Sequence, residues 1–167
     1  EIGVRLVGSE MCIRDRYFEG RDVYIGAGTV KKKEEIDVLS DMGVPYILTP
    51  GFDEQIVRYA LEKKIEVLPG VLTPSEVQAA VNCGIHLAKL FPADAFSDRY
   101  IKALKGPFPE MDYVAVGGVT PENAVNFYRL GYKGVAAGSN LVPKHAKRSD
   151  LKKIRETARK YVEVSQI

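Results

Sequence analysis

The sequence predicts an α/β fold, most of a (β/α)8 barrel, from three observations. Apolar runs recur roughly every twenty residues with helical patterns between them, the alternation that builds parallel sheets. The runs are continuous rather than alternating, as expected of strands covered on both faces. Polar or glycine-rich positions stand at the downstream end of nearly every run: Thr29, Thr49–Gly51, Pro69–Gly70, Lys89–Pro92, Gly117–Gly118 and Gly138–Ser139. In a barrel those ends ring one mouth, where active sites are assembled. No GxGxxG opening follows an early strand, which sets dinucleotide binding aside.

In chain order, strands are expected at Asp22–Gly28, Pro45–Thr49, Ile65–Gly70, Ile85–Phe91, Asp112–Gly118 and Gly134–Gly138. Helices are expected at about Val30–Met42, Asp53–Lys63, Pro74–Asn82, Ser97–Lys105, Pro121–Leu130 and Arg148–Ser165. "TPSE" at Thr73–Glu76 sets a capping threonine before a proline at the first helical position, with a glutamate three residues after the cap. "TPEN" at Thr120–Asn123 repeats that entry; both are helix starts. Helices are expected to close at Gly43, Gly84 and Gly131, where the left-handed backbone favours glycine. Eight strands are needed to close a barrel, and the chain has room for one more, "GVRLV" at Gly3–Val7.

The 167 residues suffice for one domain with a real core. A net charge of +2 points to neither nucleic acid nor a membrane surface as partner. No apolar run has bilayer-spanning length, and residues 1–16 lack the pattern of a secretory signal. Cys12 and Cys83 form no CxxC pair, as suits a reducing compartment. With His86 and His145 the only histidines, a metal centre is not expected. The composition reads as a soluble cytoplasmic domain without cofactor.

The chemistry is expected at the downstream strand ends. Gly117 and Gly118, and then Gly138 and Ser139, follow the last two strands. Backbone amides there, free of side-chain bulk, make an anion site, and barrels commonly hold phosphate in their final two loops. The ligand is then a phosphorylated small molecule. In "HLAKLF" the side chains alternate, so Leu87, Lys89 and Phe91 share one face and His86, Ala88 and Leu90 the other. An inward Lys89 loses solvation, which favours the neutral amine that attacks a carbonyl to form an imine. The protonated imine is an electron sink, opening carbon–carbon bond cleavage without a metal. Phe91 would help exclude water. Thr29 either donates its hydroxyl to a substrate carboxylate or caps the next helix. His86 is expected to pack against a helix.

These residues resemble a family. "IGAGTV", "ILTPG", "VLPGVLTPSE", "AKLFPAD", "VAVGGVTPEN" and "GSNLVP", in that order, are similar to the class I aldolases that cleave 2-keto-3-deoxy-6-phosphogluconate (KDPG) and 4-hydroxy-2-oxoglutarate (KHG). The resemblance runs from about Tyr17 to the C-terminus. It implies a (β/α)8 barrel, a homotrimer, and release of pyruvate with an aldehyde: glyceraldehyde 3-phosphate from KDPG, glyoxylate from KHG. It implies Lys89 as the imine-forming lysine, Thr29 as the carboxylate-binding threonine, Phe91 as the neighbouring aromatic, and Gly117, Gly118 and Ser139, with Gly138 beside them, as phosphate-binding positions. Val116 departs from the threonine many members carry there.

On this template the fold is an incomplete (β/α)8 TIM barrel, with strands three to eight and a remnant of strand two in "GVRLV". Gly8 and Cys12 stand where the family carries its proton-transfer glutamate and carboxylate-binding arginine. "VGSEMCIRDR" resembles a translated sequencing-adapter remnant. Residues 1–16 are therefore expected to be a non-native or remnant segment and 17–167 a partial aldolase barrel domain, truncated at its start and impaired in turnover. Two other readings stand beside it: a non-covalent phosphosugar-binding or epimerase-type barrel, which shares the glycine loops, and a degenerate, non-catalytic subunit that retains trimer contacts.

Overall fold

The computed structural model describes residues 24–165. The segment 1–16, the "GVRLV" strand and the start of the strand expected at Asp22–Gly28 lie outside the described residues. Within them the chain alternates strand and helix, and every strand pairing is parallel. One sheet holds β1 (Ala27–Gly28), β2 (Tyr46–Leu48) and β3 (Glu66–Leu68) in that order. The other holds β4 (Gly70–Val71), β5 (Leu87–Leu90), β6 (Asp112–Val116) and β7 (Gly134–Ala136).

The strand expected as one piece at Ile65–Gly70 is thus two. Glu66–Leu68 pairs with β2, while Gly70 and Val71 pair with Lys89 and Leu90 of β5. Between them Pro69 accepts the Lys89 N–H through its carbonyl at 2.8 Å. One extended run serves one neighbour with its first half and another with its second. The other strands are shorter than expected, because apolar character outruns the ladder hydrogen bonds that define a strand.

The helices are α1 (Lys33–Asp41), α2 (Glu54–Glu62), α3 (Pro74–Asn82), α4 (Arg99–Lys105), α5 (Pro121–Arg129) and α6 (Leu151–Ser165). Thr73 caps α3, and the Glu76 carboxylate accepts the Thr73 N–H at 2.7 Å and the Leu72 N–H at 3.0 Å. Asn123 does the same for Thr120 at the start of α5. Asp53 caps α2 through the amides of Gln55 and Ile56. Three helices begin later than the sequence suggests. α1 starts at Lys33 with Lys32 as its cap, where Glu35 gathers the Lys31 and Lys32 amides. α4 starts at Arg99, and a 3-10 turn at Arg148–Asp150 precedes α6.

Gly43, Gly84 and Gly131 close their helices at positive φ, but α2 is followed by Lys64 at φ 61°. A side chain in that conformation costs roughly 1–2 kcal/mol, which glycine avoids at some expense of unfolded-state entropy. Lys64→Gly is therefore expected to raise stability by about 0.5–1 kcal/mol, read as a higher urea midpoint at unchanged slope.

The core lies between the sheets and the helices. Ile47, Val67, Ala88, Leu90, Tyr113 and Ala115 point into it and meet Leu39, Val57, Ala80, Ile101, Leu104 and Phe127. The other face, with Tyr46, Leu48, Leu68, Leu87, Lys89 and Val114, is partly or largely open among the described residues, where the continuous apolar runs predicted cover on both faces. Lys89 belongs to that second face.

Candidate active site

The burial of β5 alternates as the sequence predicts: Ala88 and Leu90 are buried in the helix-side core, while Leu87, Lys89 and Phe91 face away from it. The Lys89 ammonium sits 4.6 Å from the centroid of the Phe91 ring and 3.5 Å from the Thr49 carbonyl oxygen. Burial lowers the pKa of Lys89 from the usual lysine value, because a partly desolvated site disfavours the charged amine. The π-face of Phe91 acts the other way, holding the cation in place.

Thr49 is what brings the loop after β2 to this lysine. It is 2 % exposed, donates its hydroxyl to the Gly51 carbonyl at 2.7 Å and accepts the Gly70 N–H at 3.3 Å. Gly70 makes that approach possible, since a Cβ there would collide with the Pro50 carbonyl. The loop therefore lies directly on β4 and carries its carbonyl across to β5. Sequence reasoning counts Thr49 only among the polar strand ends; its partner Gly70, twenty-one residues away, leaves no local signature.

The glycine loop after β6 meets the same place. Gly117 and Gly118 adopt φ of 99° and 64°, backbone that side chains rarely enter. A Cβ on Gly117 would lie 3.3 Å from the Phe91 ring and from the Pro92 Cα. Phe91 thus joins Lys89 to the first glycine loop. A Cβ on Gly118 would run into the Asp94 carboxylate, an anion beside the expected phosphate position that the sequence did not reveal. Gly138 and Ser139 are exposed, and a Cβ on Gly138 would meet nothing within 4 Å, so space alone does not demand glycine there.

Two expectations are corrected. Thr29 does not cap α1, whose cap is Lys32. Among the described residues it follows β1 at the outer edge of the first sheet, and it is exposed, at a φ of 63° unusual for a β-branched residue. Among the described residues no hydrogen bond joins it to Lys89. His86 is not buried against a helix. It is exposed and lines a groove of about 520 Å³ with Tyr46, Glu66 and Leu87, before the start of β5 and away from the lysine end.

Among the described residues no group of three or more His, Cys, Asp or Glu could hold a metal ion, and no helix is long and apolar enough to cross a membrane. The family model for KDPG and KHG aldolases matches residues 1–157. The chain belongs to this aldolase family. It is 42% identical over 123 residues to the 2-dehydro-3-deoxy-6-phosphogalactonate aldolase of Escherichia coli K12, covering 73% of this chain and 60% of that relative. The "Native KDPGal structure" superposes with a TM-score of 0.83 at 35% identity, over 93% of this chain and 73% of that one. The KDPG aldolase of Legionella pneumophila, solved with pyruvate captured as a covalent carbinolamine intermediate, gives a TM-score of 0.70 at 26% identity, over 92% of this chain and 71% of that one. The chain thus spans less than two thirds of the E. coli relative. The family positions named from the sequence fall at the downstream ends of the strands, with Lys89, Phe91 and Gly117 in one neighbourhood.

Proposed function

We propose that this chain is a class I aldolase module in which Lys89 forms an imine with pyruvate, the keto-acid half of a phosphorylated or dicarboxylic aldol substrate. The observation that carries the reading is the Lys89 amine, partly desolvated on the face away from the helices, between the Phe91 ring and the Thr49 carbonyl. A relative of this fold is known with pyruvate bound covalently, which supports the same chemistry here. In this reading Thr29 donates to the pyruvate carboxylate, Phe91 shields the amine from water, and Gly117, Gly118, Gly138 and Ser139 receive the phosphate. Attack by the amine on the C2 carbonyl expels water. Cleavage of the C3–C4 bond then leaves an enamine as the C4 hydroxyl loses its proton, and protonation at C3 with hydrolysis returns pyruvate and the lysine.

The offset pairing around Pro69 fits strands tilted as in a closing sheet. We therefore propose the six βα units as strands three to eight of a (β/α)8 barrel, with a homotrimer and a cytoplasmic setting as the matching assembly and location. Gly8 and Cys12, where the family carries glutamate and arginine, lie outside the described residues. Without that glutamate the proton-transfer step loses a contribution of about 10²–10⁴-fold, so imine formation is expected to outlast efficient turnover. The experiment is borohydride reduction with pyruvate, followed by peptide mapping, alongside pyruvate release from KDPG and KHG. An adduct at Lys89 supports the aldolase. A folded sample without adduct favours a non-covalent phosphosugar barrel.

Asp94 bears on the choice of substrate. A carboxylate against Gly118 repels a phosphate by about 1 kcal/mol at 4 Å even in water. Asp94→Asn is accordingly expected to lower KM for KDPG about fivefold relative to KHG, measured as the ratio of the two KM values.

A further inference from the structure

One buried carbonyl ties together three segments that the sequence keeps far apart. The Val119 oxygen, on a residue 2 % exposed, accepts the Tyr161 hydroxyl at 2.8 Å and the Asn140 side-chain amide at 2.8 Å. Tyr161 comes from α6, forty-two residues away and beyond the stretch matched by the family model. Asn140 follows Gly138 and Ser139. One residue upstream, the Gly118 carbonyl accepts the Asn123 side-chain amide at 2.9 Å, while Asn123 also takes the Thr120 N–H. Both carbonyls after Gly117 are thus committed to donors inside the protein.

Glycines at φ of 99° and 64° have the greatest freedom to leave that conformation. An anion site built from backbone amides is effective only when those amides are held in place before the ligand arrives. Among the described residues, the N–H groups of Gly117, Gly118 and Ser139 donate to no backbone carbonyl outside the helices and strands, as an anion site built on them requires.

We propose that Tyr161 and Asn140 are positioning residues that lock the two glycine loops into one arrangement through the Val119 carbonyl, so that the C-terminal helix sets the affinity for the phosphorylated end of the substrate. This rests on the aldolase reading above. The pyruvate end is assigned to Lys89 and Thr29 on other strands and meets the first glycine loop through the Phe91 ring beside Gly117, so it is expected to respond far less to the lock than the phosphate end.

The test uses the full chain with Tyr161→Phe, Asn140→Ala and the double variant, each checked for folding by thermal melting. Inorganic phosphate is the probe for the anion site, by calorimetric titration, and borohydride trapping with pyruvate is the probe for the lysine. KM for KDPG is read against KM for KHG. Each single change is expected to weaken phosphate and raise KM for KDPG about threefold to tenfold, the usual effect of one hydrogen bond. The rate of pyruvate trapping and the KM for KHG are expected to hold, and the two changes to be non-additive because they share an acceptor. Unchanged phosphate affinity in the folded double variant overturns the proposal. So does absence of phosphate binding by the parent chain, or a parallel fall in trapping, which marks a general structural role. If the parent chain traps no pyruvate while phosphate affinity still responds, the aldolase reading fails and the lock stands.

Discussion

Lys89→Met is expected to leave the chain folded and to abolish both the borohydride adduct and pyruvate release, lowering kcat by at least about 10⁴-fold, since a covalent nucleophile has no substitute. Methionine keeps the apolar stem, so the contact with Phe91 persists and melting should barely move. The unsubstituted chain supplies the complementary measurement, the pH dependence of trapping at saturating pyruvate. Burial lowers the pKa of Lys89, so the neutral amine becomes abundant at a lower pH than for a free lysine. The trapping rate should rise with pH through a midpoint below the ordinary value of 10.5. The same shift has a sign for stability: the folded state is penalised for charging Lys89 at low pH, and that penalty fades as pH rises from the lowered folded value to the ordinary 10.5 of the unfolded chain. A midpoint at or above the free-lysine value would mean that the amine is fully solvated and would remove the basis for its reactivity.

Gly70→Ala is the substitution with the largest expected effect on the fold. The new methyl would strike the Pro50 carbonyl, and a backbone atom cannot swing aside as a side-chain tip can. Overpacking of this kind costs about 3 kcal/mol, or roughly 6–12 °C in melting temperature for a chain of this size. The consequence is also chemical. Pushing the loop off β4 breaks the bond from the Gly70 amide to Thr49 and withdraws the Thr49 carbonyl from Lys89, so trapping at Lys89 should slow in whatever fraction stays folded. A Gly70→Ala chain that melts with its parent and traps pyruvate at the same rate would show that the loop does not press on the strand.

How much of this was legible beforehand follows the range of the interactions. The entry to α3 is legible to the residue, because threonine, proline and glutamate within four positions determine a helix start by themselves. The face of Lys89 was legible for the same reason: alternation is a property of five consecutive side chains. The division of Ile65–Gly70 was not, since it depends on which neighbour each half bonds to. Thr49 with Gly70, Asp94 with Gly118, and Tyr161 with Val119 are separated by 21, about 24 and 42 residues, and no local pattern announces them. The start of α1 is not legible, because Thr29 has the chemistry of a cap while the backbone puts it elsewhere.

Pro69 occupies the seam between the two sheets, wholly enclosed, where almost any other residue would bring a backbone N–H that must find an acceptor at the moment the chain changes partners. A proline has none to strand. It can hand its carbonyl to the lysine strand while its ring fills apolar space, so the switch from one neighbour to the next leaves no unmet donor in the interior. The ring atom that forbids a ladder bond elsewhere is what lets a single run of chain stitch both sheets together beside the reactive amine.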